Sequence, residues 1–282
     1  MIVDAHHHLW DPARGDYGWM PPDDPVLSRP YGLAEAEAMF RDHGVVQSVI
    51  VQAAPTIAET DYMLGIADSS AIIAGVVGWV DFENRDERRQ LEHLSRHPKF
   101  RSIRPMVQDI ADDDWLLRPG IRWAFDAIRD LDLAFDALGF PRHAPRFLGI
   151  FQLYPELRAV IDHCLKPDIR EGHFDAWAPG MERIARETSA LVKLSGLVTE
   201  AGADCSAVAL KPYVDHVLSS FGPNRVMWGS DWPVCRLRME YGDWLASARE
   251  LTSHLGENAQ TALFRTTAQS FYRLPPPPGQ PN

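Results

Sequence analysis

The chain has 282 residues, a formal net charge of −11 and 45% hydrophobic residues. That length suits a single α/β barrel domain with a sizeable core, and Lys and Arg scattered through an acidic chain argue against the clustered basic face of a nucleic-acid binder. No stretch approaches a membrane-spanning length and no basic segment precedes an apolar run at the start, so a cytoplasmic protein is expected, with Cys164, Cys205 and Cys235 reduced.

The chain opens on a short apolar run, Ile2 to Ala5, that leads into Asp4-Ala5-His6-His7-His8. A strand sends alternate side chains to one face, which points His6 and His8 together and His7 away. Trp10 to Pro30 follows as a long Pro- and aromatic-rich connection. Segments of this kind are often lids, and Trp10, Tyr17, Trp19 and Met20 are placed either to cover a ligand or to pack against a rim. From there strand and helix patterns alternate. The remaining strands are expected at Val46 to Gln52, Ile73 to Val80, Phe100 to Arg104, Leu133 to Leu138, Arg158 to His163, Leu191 to Ser195 and Arg225 to Gly229. Helix patterns include Leu33 to His43, Asp86 to Arg96, Ile121 to Leu131, Met181 to Glu187, Pro212 to Phe221 and Trp244 to His254. Eight strands alternating with helices predict a closed (β/α)8 barrel, one domain over residues 1–274 with an extra helix at Ala259 to Tyr272. Pro275 to Asn282 reads as a disordered tail. A doubly wound open sheet is the competing architecture, but no glycine-rich phosphate loop follows any strand.

Barrel enzymes keep their chemistry at the C-terminal ends of the strands. Strand six delivers His163 there and strand eight delivers Asp231, to join His6 and His8. Three His and one Asp can hold a divalent ion with an open position or form a metal-free acid/base cluster. A buried histidine or a turn-capping aspartate explains any one of them, but four at corresponding strand ends is a poor coincidence. Arg104 ends strand four, and a buried Arg can hold a carboxylate or polarise a carbonyl. Gln52, Trp79, Gln108, Asp136, Lys166 and Arg142 also stand at or just beyond strand ends. Arg142 is equally a solvated loop charge, and Lys193 either joins the cluster or points outward.

These residues carry a resemblance. Asp4-Ala5-His6-His7-His8-Leu9-Trp10, Gly78-Trp79-Val80-Asp81, Ile161-Asp162-His163, Lys193 to Glu200 and Gly229-Ser230-Asp231-Trp232-Pro233-Val234-Cys235 resemble, in order along nearly the whole chain, the amidohydrolase superfamily in its branch of sugar-acid and 2-pyrone-4,6-dicarboxylate lactonases, and most closely the L-fuconolactonase-like enzymes. The resemblance implies a central constellation of His6, His8, His163 and Asp231, with Asp231 the general base and Arg104 a substrate-binding arginine. Strand four ends in Arg104 and strand five in Asp136, where the wider superfamily places a metal-bridging residue and a His. The expectation is therefore at most one divalent ion, such as zinc, held by His6, His8, His163 and Asp231. The branch contains both metal-free and single-zinc members. A polyhydroxylated sugar lactone is the expected substrate, its hydroxyls and ring faces met by Gln52, Gln108, Asp136 and Trp79, with Lys166 and Arg142 as further cations. Decarboxylation by a related metal-dependent barrel, hydrolysis of a dicarboxylate lactone, and binding without turnover are the alternatives. The sequence leaves the oligomeric state open.

Overall fold

The structure, a computed structural model, describes residues 1–277. Residues 278–282, which make up most of the segment read as a disordered tail, lie outside the described residues. Among the described residues, eight strands form one parallel sheet in sequence order: β1 (Ile2–His7), β2 (Val45–Val51), β3 (Ile73–Gly78), β4 (Phe100–Ile103), β5 (Ala134–Ala137), β6 (Arg158–Ile161), β7 (Leu191–Leu194) and β8 (Val226–Trp228). Each overlaps a strand expected from the sequence. The barrel is the predicted (β/α)8 architecture, nearly closed, and the open-sheet alternative is set aside.

Closure runs through the chain just beyond β8. Asp231 N donates to His6 O (2.8 Å), His8 N to Trp232 O (2.7 Å) and Ser230 N to the Asp4 carboxylate (2.9 Å). The seam thus consists of the residues that carry the candidate site. Gly229 permits the approach: a Cβ there would lie 2.7 Å from His6 Cβ.

Helices cover the outside at Leu33–Asp42, Ile57–Asp68, Arg88–Leu94, Arg122–Asp130, Ala144–Leu153, Phe174–Glu187, Ala207–Phe221 and Tyr241–Leu251. Two of them had no sequence counterpart. Ile57–Asp68 turns Glu59 and Thr60 inward beside Met63 and Leu64, which blurs its apolar face. Ala144–Leu153 carries Pro145 in its first turn and buries Phe147, Leu148, Ile150 and Phe151, leaving a weak polar stripe. The helix expected from Met181 begins earlier because Pro179 is accommodated inside it.

The inner core closes the N-terminal end of the barrel. Val3, Val49, Val51, Val77, Val160 and Met227 pack around Ala268, Phe271 and Tyr272 of the C-terminal segment. That segment is the expected extra helix, α-helical at Glu257–Thr261 and Thr267–Phe271 with a π-helical turn, Ala262–Thr266, between. It is pinned to the strand starts, since Arg158 donates to Phe271 O (2.6 Å), Gln269 to Gln47 (2.8 Å) and Gln47 to Pro275 O (2.6 Å).

Val3 and Ala5 belong to this inner core, whereas His6 and His8 face the mouth, so the inward parity of β1 switches along its length. The register shift between Asp4 and His7 in the β1–β2 pairing accounts for it, because an extra residue re-aims every side chain beyond it. His7 points outward as expected, bonded to Ser48 Oγ (3.0 Å) and packed on Phe40.

Candidate active site

His6, His8, His163 and Asp231 meet at the C-terminal mouth. His6 Nε2 lies 3.2 Å from His8 Nε2 and 3.7 Å from Asp231 Oδ1. His8 Nε2 and His163 Nε2 lie 3.3 and 3.8 Å from that same oxygen. All four side chains are buried to within a few per cent.

Local backbone aims them. The chain leaves β6 through four consecutive residues in the left-handed region, His163 (φ 53°), Cys164 (52°), Leu165 (61°) and Lys166 (48°). Such a run costs on the order of 1–2 kcal/mol per residue and persists only where the surroundings enforce it. It turns Asp162 and His163, neighbours that a regular strand would send to opposite faces, both toward the barrel axis, and it brings Lys166 to the same cavity as His163. Gly196 (φ 69°) gives the ring room, since a Cβ there would meet His163 Cγ at 2.7 Å. Asp231 is left-handed as well (φ 57°).

Hydrogen bonds on the far ring nitrogens orient the imidazoles. His8 Nδ1 lies 2.7 Å from Val51 O, a group that only accepts, so Nδ1 donates there and the ring is fixed with Nε2 toward Asp231. His163 Nδ1 bonds to Ser195 Oγ (2.9 Å). His6 Nδ1 stands between Lys193 Nζ (3.1 Å) and Asp162 Oδ1 (3.6 Å). Burial lowers His163 to about 4 against the pull of Asp231, and burial together with the Lys193 charge holds His6 well below the usual imidazole range. Both are neutral near pH 7. Burial pushes the Asp231 carboxyl up, but His163, His8 and Lys166 outweigh it and keep the group below its ordinary value, hence ionised.

Beneath the histidines lies a buried ionic layer that sequence reasoning did not assign. Asp162 pairs with Arg104 (3.0 Å) and Lys193 (2.9 Å), and Lys193 also pairs with Asp136 (2.5 Å). Ser102 Oγ (2.5 Å) and the Tyr272 hydroxyl (2.7 Å) donate to Asp136. Lys193 therefore points inward, the first of the two directions its position allowed. The signal was present, because Lys193 shares the parity of Ser195, whereas Asp162 was masked by the left-handed turn after it. Burial pushes Asp162 up, yet Lys193, His6 and Arg104 hold it well below the carboxylate range; Asp136 is raised by burial despite Lys193.

A cavity of about 190 Å³ opens above the histidines. His8, His163, Asp231, Arg104, Gln108 and Lys166 line it, with Trp10 and Trp19 of the Trp10 to Pro30 connection at its edge. Trp10 pins that connection by donating to Leu27 O and Arg29 O, each at 3.1 Å. Gln108 accepts from Lys166 Nζ (2.6 Å). Four other candidates are not brought to this cavity. Asp136 is consumed in the ionic layer. Gln52 sits fully buried behind Arg104, donating to its carbonyl (2.7 Å) and accepting from its guanidinium through the backbone. Arg142 is exposed and paired with Asp113 (2.8 Å). Trp79 lines an adjoining, larger space.

The chain matches the family model described as amidohydrolase over residues 3–274. It belongs to the amidohydrolase family. Two relatives are each described as L-fucono-1,5-lactonase. The chain is 43% identical to one from Burkholderia ambifaria over 281 residues, covering 98% of this chain and 97% of that protein. It is 32% identical to one from Burkholderia multivorans over 292 residues, with the same coverage. An amidohydrolase from Burkholderia multivorans, crystallised with bound zinc, superposes with a TM-score of 0.92 at 29% identity, covering 98% of this chain and all of that one.

The residues present in this amidohydrolase fit one divalent ion. Tetrahedral zinc with bonds of about 2.0–2.2 Å spaces its donors about 3.3 Å apart, and His6 and His163 stand 3.7 and 3.8 Å from the Asp231 oxygen, with His8 3.2 Å from His6 at the edge of that set. The donor atoms of His6, His163 and Asp231 all lie within 4.8 Å of one another. Among the described residues one such His and Asp set is found, and Arg104 and Asp136, where further ligands would stand, are tied to Asp162 and Lys193.

Proposed function

We propose that the chain hydrolyses a sugar 1,5-lactone to the open sugar acid, with Asp231 as general base. The observation that carries this is an ionised, nearly buried carboxylate at the floor of a small cavity, flanked by His8 and His163 and faced by Arg104 and Lys166. The relatives described as L-fucono-1,5-lactonases support the substrate class. Drug-sized ligands occupy about 300–1,000 Å³, so about 190 Å³ suits one sugar ring.

Asp231 Oδ1 takes a proton from a water held against the imidazoles, and the water oxygen attacks the lactone carbonyl. The oxyanion that forms needs donors fixed in advance, which Lys166 and the Arg104 guanidinium supply. The proton on Asp231 passes to the ring oxygen as the acyl bond breaks, leaving a carboxylic acid and a hydroxyl and returning Asp231 ionised; the acid then loses the second proton of the water to solvent, and that is the proton an indicator reads. A divalent ion held by His6, His8, His163 and Asp231 would supply Lewis acidity to the carbonyl and a more acidic water.

A pH-indicator assay over L-fucono-, L-galactono- and related lactones tests the reading, alongside 2-pyrone-4,6-dicarboxylate. Proton release with the largest kcat/KM on a polyhydroxylated lactone is expected. Preference for the dicarboxylate would overturn the substrate, and carbon dioxide release from an aromatic acid without lactone turnover would overturn hydrolysis. Elemental analysis is expected to give no more than one tightly held ion per chain.

A further inference from the structure

The space lined by Trp79 takes no part in the chemistry above. It measures about 760 Å³, and Trp19 and Met106 line both it and the catalytic cavity, so a ligand seated over Asp231 can extend past these two side chains into it. Its aromatic wall is built in advance. Trp79 and Trp19 are partly exposed, and behind them Trp115 is fixed by donation to Glu83 (3.1 Å) and by stacking on Phe82 at 5.8 Å. Its charge is opposite to that of the catalytic cavity. Asp16, Asp81, Glu83, Asp109 and Asp112 line it, against Arg118, whose guanidinium is already paired with Glu83 (2.8 Å) and Asp112 (2.6 Å).

An indole face suits the C–H face of a sugar ring, and carboxylates accept from its hydroxyls, whereas an anion would be repelled. We propose that this cavity is a subsite for a second, neutral glycosyl residue attached to the lactone, so that glycosylated sugar lactones are substrates. The proposal rests on the lactonase reading and gives Trp79 its role one cavity away from the catalytic water.

The test compares L-fuconolactone with L-fuconolactones carrying a glucosyl group on O2, O3 or O4, using wild type, Trp79→Ala and Asp81→Asn. At least one glucosylated isomer is expected to match or exceed the parent in kcat/KM. Trp79→Ala is expected to lower the glucosylated-to-parent ratio about tenfold, the loss of one aromatic contact, and Asp81→Asn to lower it by a smaller factor. Failure of every isomer to turn over or to inhibit, or an unchanged ratio in both variants, overturns the subsite while parent turnover leaves the lactonase reading standing. Competition by a quaternary amine but by no glucosylated isomer also overturns it, in favour of a cation site. No turnover of any lactone, parent included, overturns both.

Discussion

The two ends of this barrel are built by different rules. At the N-terminal end, Val3, Val49, Val77 and Val160 repeat one inward parity and close on Phe271 and Tyr272. At the C-terminal end every decisive residue breaks that regularity: a register shift before His6, a left-handed turn through His163, and a left-handed Asp231 on the seam. The packed end is thus built on regular alternation, and the candidate site on local departures from it that the regular part holds in place.

If that division is right, changes at the two ends should separate into turnover and stability. Asp231→Asn keeps size and tolerates the left-handed backbone, so turnover should fall by about 10² to 10⁴-fold with the melting temperature nearly unchanged. At the opposite end, Phe271→Ala should cost about 3–5 kcal/mol of unfolding free energy, read from denaturant midpoints, while kcat per folded molecule stays within about twofold of wild type. A large loss of kcat in a still-stable Phe271→Ala protein would break the comparison.

The remaining two changes sharpen it. Glu59, buried behind the chain that leaves β2, accepts from Ala53 N and Ala54 N, and burial raises its pKa from 4.5 to about 7 despite those bonds. The folded state therefore holds this proton more tightly than the unfolded state, so stability falls as pH rises through that window. Between about pH 4.5 and about pH 8, the unfolding free energy of wild type should lose on the order of 3 kcal/mol relative to Glu59→Gln. A parallel pH dependence in the two proteins would remove Glu59 from the account. Smallest, Gly196→Ala places a Cβ against the His163 ring at a positive φ and should lower kcat about tenfold through displacement of the imidazole. Wild-type kcat with a shifted melting temperature would mean the ring adapts.

The sequence revealed the regular part well. All eight strands, the extra C-terminal helix and the convergence of His6, His8, His163 and Asp231 follow from periodicity and from what stands at strand ends. What stayed hidden depends on backbone geometry beyond the strands. Asp162 lies next to His163, and alternation assigns neighbours to opposite faces; only the left-handed turn puts both on the axis. Asp136 and Gln52 do face inward, but buried partners, Lys193 in one case and Arg104 in the other, consume them below the mouth. Trp79 lies one cavity over because strand-end position fixes height on the barrel and not the sector into which a long side chain leans.

The seam between β1 and the residues after β8 sets a timing rule for the newborn chain. His6 and His8 are made more than two hundred residues before Asp231 and the backbone bonds that hold it beside them. The plug at the other end, Phe271 and Tyr272, is later still. A fragment that stops short of Asp231 cannot hold that carboxylate beside the imidazoles, so the candidate site assembles only once the residues beyond β8 have reached β1.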